Sequence, residues 1–356
     1  MARTQFIKNA WYVAAWSSEI IDAPQLAKII GEPLVLFRKT DGEIVALSDT
    51  CPHRFAPLHM GKVIDDVIEC GYHGLRFGAS GKCVHNPVGN GAIPSAARVR
   101  SFAVVERDSL IWVWMGAAEL ADPGKIIDFP WLNDRDNLCM TADHSMHQSI
   151  YYELIIDNLL DLAHGAFLHP TTLGSEAVMK GKTKIRQDGD RIYYDRWNPD
   201  GEPATLFTLT GAVQPGTRVD YWNDMRWDAP GNFYLEVGVT ETGCPRDKGH
   251  YMGSVHLLTP VDEETTIYRW ILFRNFAKSD DGITKSLEAL VNVAFRQEDE
   301  PMVKAVHQRM AGRDFWDMEP LILPGDKAAI LARRTISRLL ESEADLLLTD
   351  PVLQEV

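Results

Sequence analysis

Cys51, His53, Cys70 and His73 fall into two half-sites, Cys-x-His and Cys-x-x-His, separated by residues 54–69. Thiolate and imidazole together hold iron in a [2Fe-2S] centre of the Rieske kind, in which two cysteines bind one iron and two neutral histidines the other. Imidazole in place of thiolate raises the reduction potential above that of an all-cysteine cluster, so such a centre takes electrons from a stronger reductant and passes them on. In an extended segment Cys51 and His53 point to one face with Pro52 stiffening the link, while Gly71 and Gly74 stand where a tight loop must bring backbone close to sulfide. A Cys2His2 structural zinc site uses the same ligand types. Zinc knuckles, however, usually space paired ligands by two or more residues, against the single residue between Cys51 and His53.

A second constellation lies in the apolar stretch from Tyr151 to His169, which reads as a helix interrupted by Asp157, Asn158, Asp161, His164 and His169. Asp157, Asp161 and His164 are spaced four and three apart and share a face of a regular helix. His169, five residues past His164, is rotated from it by roughly 140°. The two imidazoles converge only if the helix ends or bulges between them, and Gly165 is placed to allow that. Two imidazoles and one carboxylate on one face of iron form the ligand set of non-haem Fe(II) oxygenases. Either histidine alone reads equally as a partly buried residue bonded to backbone, but iron of this kind needs an electron source and the upstream quartet supplies one.

The segments Asn9-Ala10-Trp11-Tyr12-Val13-Ala14, Cys51-Pro52-His53-Arg54, Cys70-Gly71-Tyr72-His73-Gly74 and Leu110-Ile111-Trp112-Val113-Trp114 resemble the oxygenase component of Rieske non-haem iron oxygenases, nearest to the vanillate O-demethylase and dicamba monooxygenase group. The resemblance runs nearly end to end. It implies Asp299 as the third ligand to the iron of His164 and His169, with Glu298 and Glu300 as neighbouring competitors. It also implies that Asp161 bridges His164 to His73 of a neighbouring subunit in a head-to-tail homotrimer. The plain alternative is that Asp161 orients His164 within its own chain. Asn158 could contact the iron site loosely or serve as an ordinary helical polar residue. On the substrate side, Asn223 and His256 match positions that hold a substrate carboxylate in dicamba-type enzymes, and a neutral amide and an imidazole can both donate to one. Counting from flanking motifs puts Leu235 and Leu290 where that pattern has an asparagine and a tryptophan, which turns the expectation from a chlorinated substrate towards a methoxylated aromatic acid of the vanillate kind.

The implied reaction is oxidative O-demethylation with dioxygen as co-substrate, releasing formaldehyde, with electrons from NAD(P)H through a separate reductase or ferredoxin. A methyl-arene hydroxylase acting on an aryl carboxylate or sulfonate stays open. So does a different class, a Rieske electron carrier without oxygenase activity, and a zinc-stabilised binding module would be colourless.

The chain of 356 residues is long enough for two domains, with 45% hydrophobic and 24% charged residues as in ordinary soluble globular proteins. A formal charge of −14 argues against nucleic acid or an anionic membrane as partner. No apolar run reaches the ~20 residues of a membrane span, and the N-terminus lacks a signal-peptide core, so a cytoplasmic location is expected. Cys83, Cys139 and Cys244 are expected to be small buried hydrophobes.

Strand and turn signals at Pro33 to Lys39, Asp41-Gly42, Ile44 to Ser48, Leu75 to Val84 and Val104 to Met115 predict an N-terminal antiparallel β Rieske domain over residues 1–118. The Ala- and Asp-rich stretch Ala117 to Gly124 marks the boundary. Residues 119–356 are expected to form an α+β catalytic domain, a curved antiparallel sheet flanked by helices. Its strands are placed at Lys184 to Tyr194, Ala204 to Leu209, Asn232 to Val239, Tyr251 to Leu258 and Thr266 to Phe273, and its helices at Tyr151 to His169, Ile283 to Met310 and Asp326 to Leu348.

Overall fold

A computed structural model describes residues 6–170, 172–173 and 181–349. It divides into two compact units, Phe6–Asp128 together with residues from Ser342 onward, and Phe129–Glu341. The division falls later than the expected boundary at 118/119, because the intervening turns are tied to the first unit. Trp11 Nε1 donates to the Asp122 carbonyl at 2.9 Å, and Arg107 Nη1 donates to the Ile126 carbonyl at 3.3 Å. Glu343 belongs there because its carboxylate accepts from the backbone N–H groups of Lys8 and Asn9 at 3.0 and 2.5 Å.

The first unit holds three small antiparallel sheets. One orders β1 (Trp11–Trp16), β11 (Leu110–Trp114) and β10 (Val104–Arg107). The second orders β2 (Gln25–Ile29), β3 (Glu32–Arg38), β4 (Ile44–Ser48) and β9 (Ser101–Phe102). The third is β5 (Lys62–Ile64), β6 (Val67–Glu69), β7 (Arg76–Phe77) and β8 (Cys83–His85). Apolar residues run without alternation through β3 and β4 because both faces are covered. Leu34, Leu36, Ile44 and Ala46 pack into one core with Tyr12, Ile111 and Val113, whereas Val35, Phe37, Val45 and Leu47 pack into another with Cys51, Leu58, Cys70 and Phe77. Each of these large side chains contributes roughly 1.5–3 kcal/mol on burial, so the metal loops rest on a rigid floor.

The second unit is an eight-stranded antiparallel sheet with helices that do not alternate with it strand by strand, as the α+β reading requires. Its strands are β12 (Cys139–Met140), β13 (His144–Gln148), β14 (Lys182–Asp188), β15 (Arg191–Gly201), β16 (Val219–Asp228), β17 (Asn232–Glu241), β18 (His250–Pro260) and β19 (Thr266–Arg274). From β14 to β19 they pair in sequence order, with β12 and β13 both on β19. The helices are α1 (Tyr152–Leu159), α2 (Gly165–Leu168), α3 (Thr205–Leu209), α4 (Asp281–Val293), α5 (Glu300–Met310) and α6 (Lys327–Thr349).

Several elements differ from the sequence reading, and two of them bear on the site. The apolar run at Ala204 to Leu209 forms helix α3 instead of a strand, burying Phe207 against Tyr221 and Phe276. Short apolar runs carry no period that tells the two apart. Strand β16 has no counterpart among the expected strands because Asp220, Asn223, Asp224, Arg226 and Asp228 break its pattern. Partners on other elements satisfy the acidic ones: Arg191 pairs with Asp228, Arg246 pairs with Asp224 at 2.5 Å, and Asp220 accepts from the backbone of Asp200 and Gly243 at 2.8 and 3.0 Å. Helix α6 is clamped to α1 by buried Arg333, which donates to Glu153 at 2.8 Å and to Asp157 at 3.0 Å. No helix among the described residues is long and apolar enough to cross a membrane.

Candidate functional site

The two half-sites of the first unit are built on the same backbone turn. The Phe55 N–H donates to the Cys51 carbonyl at 2.9 Å and the Cys51 N–H to Ala56; the Gly74 N–H donates to the Cys70 carbonyl at 3.0 Å and the Cys70 N–H to Leu75. Both turns close through a left-handed residue, Phe55 at φ 58° and Gly74 at φ 72°. Gly74 takes that conformation without cost, whereas Phe55 is a strained exception. Cys51 and Cys70 are buried against the core, and Cys70 lies within hydrogen-bonding reach of the Cys51 thiol, which burial pushes up. The imidazoles stand on the outer side, His53 exposed and His73 half-buried, with ring centroids 4.5 Å apart. Thiols paired inside and imidazoles paired outside match a cluster in which each iron takes one pair. Of the other cysteines Cys83 is buried, but Cys139 and Cys244 are partly exposed, against the expectation for them.

In the second unit His164, His169 and Asp299 offer ligand atoms that all lie within 4.8 Å of one another. Helix α1 stops at Leu159, the chain bends through Leu160 to Ala163, and the one-turn helix α2 separates the two histidines. The break therefore precedes His164, and Gly165, inside α2 with an ordinary φ, is not its cause. Asp161 makes the turn, its carboxylate accepting from the Ala163 N–H at 2.7 Å. Asp157, expected on the same face as His164, turns instead to Arg333. Asp299 comes from the far end of the chain, on a π-helical turn Ala294–Asp299 that joins α4 to α5. Single π turns recur at functional sites because they re-aim side chains within a continuing helix.

The hydrogen bonds around this trio fix which nitrogens face inward. His164 Nδ1 donates to the Asp161 backbone carbonyl at 2.5 Å, and His169 Nδ1 donates to Glu298 Oε2 at 2.7 Å. Each Nε2 is left as a bare acceptor, and the two are only 3.3 Å apart. Asp299 Oδ1 sits 3.5 Å from the first and 3.2 Å from the second, and accepts from Asn158 Nδ2 at 3.1 Å. Two lone pairs facing each other repel unless a cation lies between them, and two imidazoles with a carboxylate are the donors that suit Fe(II). Burial works to raise the Asp299 carboxyl, but with no cation at the site protonated His164 and His169 would instead donate to it and hold it down at about 2. Glu300 is not part of this group.

A cavity of about 170 Å³ opens from the trio across the sheet. Leu206, Met225, Leu235, Val237 and Met252 give it aliphatic walls, and Asn158, Asn223, Ser254 and His256 are its uncharged polar residues. Asn223 is buried with its side-chain oxygen unpaired, which leaves hydrogen-bonding capacity for a ligand. Leu290 does not line the cavity; its helix-mates Leu287 and Val291 do, four residues apart on the inward face, while Leu290 is turned to the side.

Comparison with known proteins decides the family. The description "Vanillate O-demethylase oxygenase C-terminal domain" matches residues 149–342, and "Rieske [2Fe-2S] domain" matches residues 10–102. The chain belongs to the Rieske non-haem iron oxygenases. Among its relatives, the oxygenase component of chloroacetanilide N-alkylformylase from Rhizorhabdus wittichii is 38% identical, covering 95% of this chain and 97% of that protein. The oxygenase component of dicamba O-demethylase from Stenotrophomonas maltophilia is also 38% identical, over 95% and 99%. Crystalline dicamba monooxygenase bound to 3,6-dichlorosalicylic acid superposes with a TM-score of 0.89 at 37% identity, over 95% of this chain and 99% of that one.

In this Rieske oxygenase the sequence reading omitted one partner of consequence. Glu298, considered only as a competing ligand, holds His169 Nδ1 and is itself held by the Thr172 hydroxyl at 2.6 Å. The π turn carries the adjacent acids Glu298 and Asp299 to opposite nitrogens of the His169 ring, and the residue types alone do not signal that turn. The Asp161 carboxylate, 3.9 Å from His164 Nδ1, leaves the orienting bond to its own backbone carbonyl.

Proposed function

We propose that this oxygenase component carries out oxidative O-demethylation of a methoxylated aromatic acid of the vanillate kind. The observation that carries the reading is the convergence of His164, His169 and Asp299 on one wall of a largely aliphatic cavity with a neutral polar end. Bound at that trio, iron would supply dioxygen activation, and the cluster held by Cys51, His53, Cys70 and His73 its electrons one at a time. One oxygen atom enters a methyl C–H bond, and the other leaves as water with two electrons and two protons. The resulting hemiacetal breaks its C–O bond to give formaldehyde and a phenol. The electrons derive from NAD(P)H through a separate reductase or ferredoxin.

The chain's own contribution is positioning and exclusion of water. Leu235, Val237, Met225 and Met252 form a face on which an aromatic ring packs without polar cost. Asn158 steadies Asp299, and Glu298 steadies His169. Asn223 offers its unpaired side-chain oxygen as an acceptor for a hydroxyl or other donor on the substrate ring. The Asp161 side chain, 42% exposed, is open to a neighbouring chain's cluster histidine in a head-to-tail homotrimer.

A panel of methoxybenzoates with a surrogate reductase, scored for formaldehyde, tests the reading. Stoichiometric formaldehyde with at least one member supports it. Hydroxymethyl product from methyl-substituted acids, with no formaldehyde from any methoxy acid, would replace it by methyl hydroxylation.

A further inference from the structure

The polar end of the cavity is arranged differently from what the residue types alone suggest. His256, 2% exposed, has both ring nitrogens engaged: Nδ1 lies 2.7 Å from the Tyr268 hydroxyl, and Nε2 lies 2.7 Å from Ser254 Oγ. Neither nitrogen is left for a substrate. Ser254, two residues earlier on β18, is also buried and lines the same cavity. Across the sheet it pairs with Leu235 on β17 and Leu272 on β19, so its hydroxyl is a lone polar group in an aliphatic row.

The direction of the chain of hydrogen bonds follows from counting donors. Among the described residues the Tyr268 hydroxyl has His256 as its hydrogen-bond partner and no other, and it lies in the protein interior. Were Nδ1 protonated, the Tyr268 O–H would be buried without an acceptor, which is the more costly arrangement. Tyr268 therefore donates to Nδ1, Nε2–H donates to Ser254 Oγ, and the Ser254 proton is left to point into the cavity. Burial holds His256 down to about 3, so the ring is neutral and has one N–H to give. The described lining includes no Lys or Arg, so an acceptor on the substrate meets neutral donors here.

We propose that Ser254 is the hydrogen-bond donor that orients the substrate through an oxygen acceptor on its ring, with His256 and Tyr268 as positioning residues that aim the serine hydroxyl. The acceptor is the acid group under the function proposed above, and the inference rests on that reading only for the acceptor's identity. An aryl amide offers the same chemistry through its carbonyl.

The test is equilibrium dialysis of methoxy- and methylbenzoates and their primary amides against the oxidised, cluster-loaded protein, as wild type, Ser254→Ala, Ser254→Thr and Tyr268→Phe. For the tightest ligand, Ser254→Ala should raise Kd about tenfold or more, Ser254→Thr should return it to within about threefold of wild type, and Tyr268→Phe should fall between them. A larger loss for acids than for amides assigns the acceptor as a carboxylate, and the reverse assigns it as a carbonyl. Formaldehyde yield under turnover is scored separately, so absence of demethylation with the Kd pattern intact would overturn the function and not the serine. Ser254→Ala binding within about twofold of wild type, with His256→Asn weakened tenfold, would overturn the proposal and make His256 the direct contact. A far-UV circular dichroism spectrum and a thermal unfolding transition matching wild type serve as the check that the second unit is folded in each variant.

Discussion

Each half of the cluster site is a single turn closed by two backbone hydrogen bonds, Cys51 with Phe55 and Ala56, and Cys70 with Gly74 and Leu75. The trio in the second unit is assembled over long separations, since His169 meets Glu298 across 129 residues and Asn158 meets Asp299 across 141. The cluster turns hold their ligands by local geometry over a packed core, and their histidines stand outward. The trio is held by orienting hydrogen bonds, and the His169 ring is 96% buried. A site made of turns keeps its geometry when a distant element changes. A site made of partners loses affinity step by step as each is removed.

That contrast breaks most sharply on ligand removal. Cys70→Ser should bleach the protein, whereas His164→Ala should abolish turnover with the visible spectrum intact, read side by side by absorbance and substrate-dependent oxygen uptake. Equal loss of colour in both would mean the two sites are not independent. Next in size is the support of His169: Glu298→Gln should weaken iron binding at the trio or turnover by about 10–100-fold, while Glu300→Gln stays within about twofold, measured by iron titration of metal-depleted protein. The reverse order would make Glu300 the functional acid.

Buried His256 gives a pH effect confined to the second unit. Its folded pKa of about 3 lies below the ordinary 6.5, so the unfolded chain binds the extra proton first. Stability is full above pH 6.5 and falls as pH drops towards 3, by up to about 4 kcal/mol. His256→Phe should flatten the acid limb of an unfolding curve recorded with the cluster intact, and an unaltered limb would contradict a neutral buried ring. The smallest effect is expected at Asn158→Ala, a few-fold loss of turnover from one hydrogen bond to Asp299.

The same contrast explains how much of each site is legible in the sequence. The cluster turns are legible because Cys-Pro-His and Cys-Gly-Tyr-His carry ligand, stiffener and turn residue within a few positions. The two histidines are legible as a pair, but the break expected between them at Gly165 lies before His164, where Asp161 takes the Ala163 N–H, and Asp161 also suits a helix interior. Strand β16, which carries Asn223, is hidden by charges whose partners lie on β15 and in the turn after β17. The role of Glu298 depends on a π turn, and no residue in Ala294–Asp299 announces one. His256 attracted attention as a donor, but only its neighbours across and along the sheet reveal that its nitrogens are occupied.

The central claim is that one chain holds iron in two separable environments, and iron and acid-labile sulfide counts on wild type and His169→Ala test it most directly. The account predicts about three irons and about two sulfides per wild-type chain, falling to about two irons with both sulfides retained in the variant. Loss of sulfide together with the third iron, or zinc in its place in the wild type, would contradict it.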